Sequence, residues 1–146
     1  MSQRTDGHRE RRAELLAAVE PGSLVALAER CLADGVTPRV LAGPEVGMVM
    51  LQVREPVAKE RFYLGEVLVT RAEVELGGRR GWAMVMGSDR VRALAAAICD
   101  AEVEADRPCA PDVLALCEHT AAEEAASDRA ERAELAPTEV AFEELD

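Results

Sequence analysis

Two consecutive glycines, Gly77-Gly78, constrain this chain more than any other feature, because they alone separate two β-rich runs. Glycine accepts the positive φ values that both central residues of a tight reversed turn require, so the pair predicts a hairpin. The incoming strand is Arg61 to Leu76 and the return strand Trp82 to Met86. A two-residue loop sets Glu75 opposite Arg80 and Val74 opposite Gly81, whereas a four-residue Gly-Gly-Arg-Arg loop leaves both arginines at the tip. The shorter loop is preferred. Beyond Met86 the chain passes through Gly87-Ser88-Asp89-Arg90 into an alanine-rich helix capped by Ser88 or Asp89. Its Val91, Leu94, Ala95 and Ile98 repeat at helical spacing, with Ala101 beyond, until Pro108 stops it.

On the N-terminal side, Arg9 to Val19 predicts a helix with Leu15, Leu16 and Val19 in its apolar stripe. Pro21-Gly22 interrupts it, and a second helix begins near Ser23, a candidate cap, and ends at Asp34-Gly35. Thr37 to Leu41 reads as a strand, Gly43-Pro44 as a turn, and Val46 to Val53 as a further strand whose apolar residues do not alternate, so both faces are expected to be covered. Gly65 marks a bend or bulge in the long strand that follows. After Pro111 a helix spans Asp112 to Glu124; Ala125 to Ala136 has helix propensity but a weak apolar face. The order gives an α+β fold: N-terminal helices, a mostly antiparallel sheet of four or five strands, and C-terminal helices. Residues 1–136 form one domain and 137–146 an acidic tail whose Val140, Phe142 and Leu145 are candidates for docking on another surface.

Composition narrows the function. The chain has 146 residues, enough for one core. Aromatic residues are confined to Phe62, Tyr63, Trp82 and Phe142, so its apolar mass is alanine, leucine and valine, and alanine-lined helix faces invite close approach by another element, including a partner subunit. The net charge of -11 is uneven: Glu118 to Asp146 holds ten acidic residues against Arg129 and Arg132, while Arg54 to Arg92 holds eight basic and six acidic ones. A short strip at Arg79, Arg80, Arg90 and Arg92 falls short of the continuous positive footprint that a duplex requires, which argues against nucleic acid. With no signal segment and no apolar run long enough to span a bilayer, the expected setting is cytoplasmic, with no membrane partner and with Cys31, Cys99, Cys109 and Cys117 reduced.

No residue pattern announces a catalytic centre. The cysteines and His119 lack compact metal-ligand spacing; a Cys99, Cys109, Cys117, His119 cluster is geometrically conceivable, but no metal site is expected. A nucleophile needs a base within hydrogen-bond reach, and the histidines are His8 near the terminus and His119 in an acidic region. Glu60, Glu66, Asp89 and Asp100 have the chemistry of acids or bases without a local partner that tunes them, so no catalytic residue is assigned. The turn Gly87-Ser88-Asp89-Arg90 opens a helix, where free N–H groups and the helix dipole favour an anion; the Asp89 carboxylate can fill that role itself, and ordinary capping is the preferred reading. Arg61 and Arg71 sit between apolar strand residues, where a guanidinium directed inward must be paired with a carboxylate such as Glu66, Glu73 or Asp100. A structural or interface role is favoured for Arg71, and phosphate contact stays open for Arg61.

Taken in order, Glu60-Arg61-Phe62, Gly65-Glu66, Thr70-Arg71-Ala72, Gly81-Trp82, the Gly87 turn with Asp89, and Asp100-Ala101 resemble the PhnG family of the bacterial carbon–phosphorus lyase system. The family often has Gly-Arg-Asp where this chain has Gly87-Ser88-Asp89, so the arginine is missing from that turn unless Arg90 replaces it. The resemblance implies an accessory subunit that works with PhnI-like, PhnH-like and PhnL-like subunits to displace adenine from ATP by an alkylphosphonate. Methylphosphonate would give alpha-D-ribose 1-methylphosphonate 5-triphosphate. ATP and methylphosphonate are then substrates of the complex, and this chain binds no cofactor alone; an iron–sulfur cluster and S-adenosylmethionine belong to a PhnJ-like partner. Arg61, Glu66, Arg71, Gly87, Ser88, Asp89 and Arg90 are the candidate substrate or interface contacts. A purely architectural subunit and an autonomous nucleotide- or phosphate-processing enzyme are the alternatives.

Overall fold

The computed structural model describes residues 3–138. Two helices, α1 (Gln3–Ala18) and α2 (Pro21–Cys31), precede strands β1 (Arg39–Arg54), β2 (Arg61–Leu76) and β3 (Arg79–Met86); helices α3 (Arg90–Glu104) and α4 (Ala110–Leu135) follow, with a 3-10 turn at Ala136–Thr138. The strands form one antiparallel sheet in the order β1-β2-β3. Among the described residues it has three strands, not four or five. The sequence places a turn at Gly43-Pro44, but β1 runs through that dipeptide by shifting register on both sides of Ala42, which an edge strand tolerates at a proline. The expected acidic tail lies outside the described residues from position 139 onward, as do Val140, Phe142 and Leu145.

The Gly77-Gly78 loop has two residues: Glu75 pairs with Arg80 and Val74 with Gly81. Both glycines take positive φ, 59° and 77°. Near Gly65 the expected irregularity is present, since Leu51 pairs with Gly65 and Gln52 with Tyr63, leaving Leu64 as the extra residue.

The core forms because α3 is made of small residues. Every residue from Ala95 to Glu102 is buried, so α3 is enclosed around its circumference instead of exposing one polar face. It packs on β2 and β3 on one side and against α2 on the other, while α1 contacts β3, α3 and α4. From the sheet it meets Ala72, Val74, Leu76, Ala83 and Val85; from the helices, Leu16, Leu24, Leu27 and Val113 complete the cluster. Val91, assigned by periodicity to the apolar stripe, is instead exposed, and alanines at positions 93, 96 and 97 face inward.

Helix ends explain two further departures from the sequence reading. Ser23 does not cap α2; Pro21 occupies its first turn, and the Glu20 carboxylate accepts from the Gly22 and Ser23 N–H groups at 2.8 and 2.7 Å. Those backbone hydrogen bonds hold the Glu20 carboxyl below its ordinary pKa. The segments Asp112 to Glu124 and Ala125 to Ala136 merge into the single helix α4, of which Ala110, Val113, Cys117 and Thr120 are buried and the stretch after Ala121 is exposed. Among the described residues no helix is long and apolar enough to cross a membrane.

Candidate functional site

The residues singled out by sequence fall in three separate places. Arg61 and Glu66 are exposed on the first half of β2, opposite Arg54 and Met50 of β1. Arg71 is also exposed; it bonds Glu45 of β1 through Nε at 2.6 Å, so neither arginine points into the core and the partner of Arg71 is none of the three carboxylates expected. Gly87-Ser88-Asp89-Arg90 forms the β3–α3 connection, tied to β2 by the Gly87 N–H donating to the Leu68 carbonyl at 2.8 Å and the Thr70 hydroxyl donating to the Gly87 carbonyl at 2.7 Å. Seven residues of extended strand separate Arg61 from Leu68, about 23 Å, so Arg61 and this turn do not share one site.

Within the turn, Asp89 is the cap of α3: its carboxylate accepts from the Arg92 N–H at 2.9 Å. Arg92 turns the other way, donating to the carbonyls of Ala17 and Val19, where it closes the C-terminal end of α1. The anion-binding reading is thus weakened on both counts, and Arg90 remains exposed at the helix start. Asp89→Ala is expected to cost about 1 kcal/mol, the usual worth of an N-cap, measured as a lower urea midpoint. A loss below a few tenths of a kcal/mol would remove Asp89 from this role.

The strongest polar constellation centres on Asp100, which the sequence offers as an acid or base and as a partner for Arg61 or Arg71, and which pairs instead with two arginines of α1. Its side chain is 1% exposed. One oxygen accepts from Arg12 Nε at 2.8 Å and Arg12 NH2 at 2.7 Å; the other accepts from Arg9 NH2 at 2.9 Å and the Trp82 N–H at 3.0 Å. Arg9 also donates to the Arg80 carbonyl at 2.9 Å, and Arg12 to Glu104. Burial opposes the charge on Arg12, but the Glu104 and Asp100 carboxylates outweigh it and hold its pKa above the usual value. Arg9 and Arg12, three apart on α1, therefore lock that helix to α3 and to the outer edge of β3. A groove of about 390 Å³ opens beside this cluster, lined among others by Glu73, Arg80 and Trp82. Arg9 is answered by Asp100 and Arg80 by Glu73 at 3.4 Å, so the groove neutralises its own cations and offers an anion little.

His119, one of the few groups with the chemistry of a base near neutral pH, is 69% exposed and lies 3.4 Å from Glu123 on α4; His8 is exposed on α1.

Much of the exposed surface of β1 and the first half of β2 is apolar. β3 pairs only with Val69 to Leu76, so the β1–β2 hairpin continues beyond the sheet for the eight residues Arg61 to Leu68, about 26 Å. Directly opposed residues share a face. One face carries Met48 with Leu68 and Met50 with Glu66; the other carries Val49 with Val67 and Leu51 with Gly65. Met48 and Met50 are 54% and 59% exposed, Tyr63 and Leu64 61% and 64%. An apolar ribbon with two uncovered faces is a contiguous patch of the kind that solitary folded chains rarely leave in water.

Comparison with known proteins gives the family. The family described as "Phosphonate metabolism protein PhnG" matches residues 7–145. A relative from Rhizobium meliloti (strain 1021), named "Alpha-D-ribose 1-methylphosphonate 5-triphosphate synthase subunit PhnG", is 37% identical over 143 residues, which cover 97% of this chain and 87% of the relative. By the extent of both matches, the chain belongs to the PhnG family of phosphonate metabolism proteins.

Proposed function

We propose that this chain is the PhnG-type subunit of an alpha-D-ribose 1-methylphosphonate 5-triphosphate synthase, and that it supports the displacement of adenine from ATP by an alkylphosphonate without a reactive centre of its own. The observation that carries this reading is the projecting hairpin, whose two apolar faces call for a covering partner. The polar residues reinforce it. Asp89 caps a helix, Arg71 pairs with Glu45, and Asp100 is consumed by Arg9, Arg12 and Trp82, each a structural duty. Arg61 and Glu66 lie on the hairpin, where they supply polar contacts within the interface, and Arg90 faces outward from the helix start. The partners are PhnI-like, PhnH-like, PhnJ-like and PhnL-like subunits. In this reading the hairpin docks on the nucleosidase-like PhnI subunit, and ATP and methylphosphonate bind at that subunit or at its boundary with this chain.

The test is co-expression with the PhnI-like, PhnH-like and PhnL-like subunits and assay of adenine release from ATP plus methylphosphonate. Omission of this chain is expected to abolish release. The double substitution Met48→Asp with Leu68→Asp, on one face of the hairpin, is expected to reduce co-purification with the PhnI-like subunit at least tenfold. The thermal midpoint of the free chain should stay nearly unchanged, because surface substitutions fall within about 0.5 kcal/mol. Wild-type recovery of the partner by the double variant would refute the docking role, and undiminished adenine release without this chain would refute the functional one.

A further inference from the structure

The fold gathers sulfur and carboxylate donors from three elements that no sequence spacing connects. Cys31 ends α2, Glu102 lies in the last turn of α3, and Cys109 stands at the cap position of α4. One ligating atom from each lies within 4.8 Å of the others. Cys99, one turn before Glu102 on α3, is fully buried and lies outside this set. The set differs from the cluster conceivable by spacing: His119 is on the exposed face of α4, and Cys31 takes a place that its distance along the chain conceals.

We propose that Cys31, Cys109 and Glu102 form a three-donor binding site for a thiophilic divalent cation of the zinc class. Zinc in a tetrahedron, with thiolate at about 2.3 Å and carboxylate oxygen at about 2.0 Å, sets sulfurs about 3.8 Å apart and sulfur and oxygen about 3.5 Å apart, so the side chains need to close by no more than about 1.3 Å. Donor type fits, since two sulfurs with one carboxylate select zinc over calcium or magnesium. Charge fits as well. Two thiolates and a carboxylate carry three negative charges, which the divalent ion and the Arg107 guanidinium, 2.8 Å from Glu102, cancel.

The outer contacts are already in place. Glu102 accepts from Arg107 Nε on one oxygen and from the Cys109 N–H at 3.0 Å on the other, which fixes its carboxylate and leaves a lone pair on each oxygen. Arg107 in turn bonds Asp34 at 2.8 Å and the Cys31 carbonyl at 3.3 Å, holding the end of α2 against the α3–α4 turn. Cys109 is half-buried beside exposed Pro108, which gives an ion a way in. Occupancy ties α2, α3 and α4 at one point, so the ion acts as a structural brace.

The decisive experiment uses the full chain, reduced and stripped of metal by chelator, with Co2+ as a spectroscopic probe and Zn2+ as its competitor. The expected result is a thiolate-to-cobalt charge-transfer band that saturates at one equivalent, disappears when Zn2+ is added, and is accompanied by a higher thermal midpoint. Cys109→Ser, at a half-buried turn position, should weaken binding at least tenfold with the fold retained by circular dichroism. Cys31→Ser should do the same, and if that variant fails to fold, Cys109→Ser decides. Cys117→Ser, buried but outside the set, should bind as the wild type does. Absence of the band from folded wild-type chain, or a band of equal strength in Cys109→Ser, would overturn the proposal. The site is independent of the synthase role, and either can fail without the other.

Discussion

Asp100→Ala is expected to cost about 3–5 kcal/mol, the penalty for breaking a buried ion pair, and so a large part of the roughly 5–15 kcal/mol that holds a domain of this size together. The carboxylate serves four donors at once, and its removal strands them unequally. Arg12, with an 11% exposed side chain, keeps only Glu104 for its charge; the Trp82 N–H loses its acceptor; and Arg9 loses the contact that orients it toward β3. Asp100→Asn should fall between the alanine variant and the wild type, because an amide oxygen still accepts but the charge that balances two guanidiniums is gone. The check is urea unfolding of all three proteins followed by tryptophan fluorescence, since Trp82 sits in the cluster. A loss below 1 kcal/mol for the alanine variant would mean that Arg9 and Arg12 relax into solvent and that Asp100 does not organise the fold.

Gly81→Ala is expected to be nearly as damaging, for a steric reason. A Cβ at position 81 would lie 2.0 Å from the Ala97 carbonyl oxygen, 2.4 Å from the Ala101 nitrogen and 2.6 Å from the Ala101 Cβ. Two of those atoms are backbone of α3, so no rotamer change relieves the clash and the helix must lift off the sheet. Overpacking ordinarily costs about 1–3 kcal/mol, and a backbone obstruction places this substitution at or above the upper end. The contrast is Gly47→Ala, where a Cβ has open space and the unfolding midpoint should scarcely move. Equal stability of the two variants would sink the argument. The same close approach accounts for the alanine content of α3: with Ala97 and Ala101 against Gly81, helix and strand come nearer than leucine would permit.

What could be read from the residues alone follows how local each signal is. The Gly77-Gly78 turn, the pairing of Val74 with Gly81, the bulge near Gly65 and the Asp89 cap depend on residues within a few positions of one another, and each appears where expected. Gly43-Pro44 misleads because a dipeptide that ends one strand and starts another looks the same as one absorbed by two register shifts. Ser23 misleads because its hydroxyl is a common cap, while the preceding glutamate reaches the same N–H groups with a longer arm. The apolar, non-alternating run in β1 also misleads: it predicts cover on both faces, whereas every residue of β1 is exposed or only half-buried, because the run lies on a hairpin that extends past β3. Arg9, Arg12 and Asp100, and likewise Cys31, Glu102 and Cys109, meet only through tertiary packing. For these the faint signals were an i,i+3 arginine pair and an acid inside an alanine-rich apolar helix.

The contacts made by Asp100 and Arg9 also decide how this sheet can grow. They occupy the Trp82 N–H and the Arg80 carbonyl, two of the groups with which β3 would recruit a further strand, so the sheet is sealed at the middle of one border and open along β1 at the other. A strand laid along β3 meets those occupied positions at Arg80 and Trp82, so the carboxylate that holds the helices in place also blunts this border against templating a further strand.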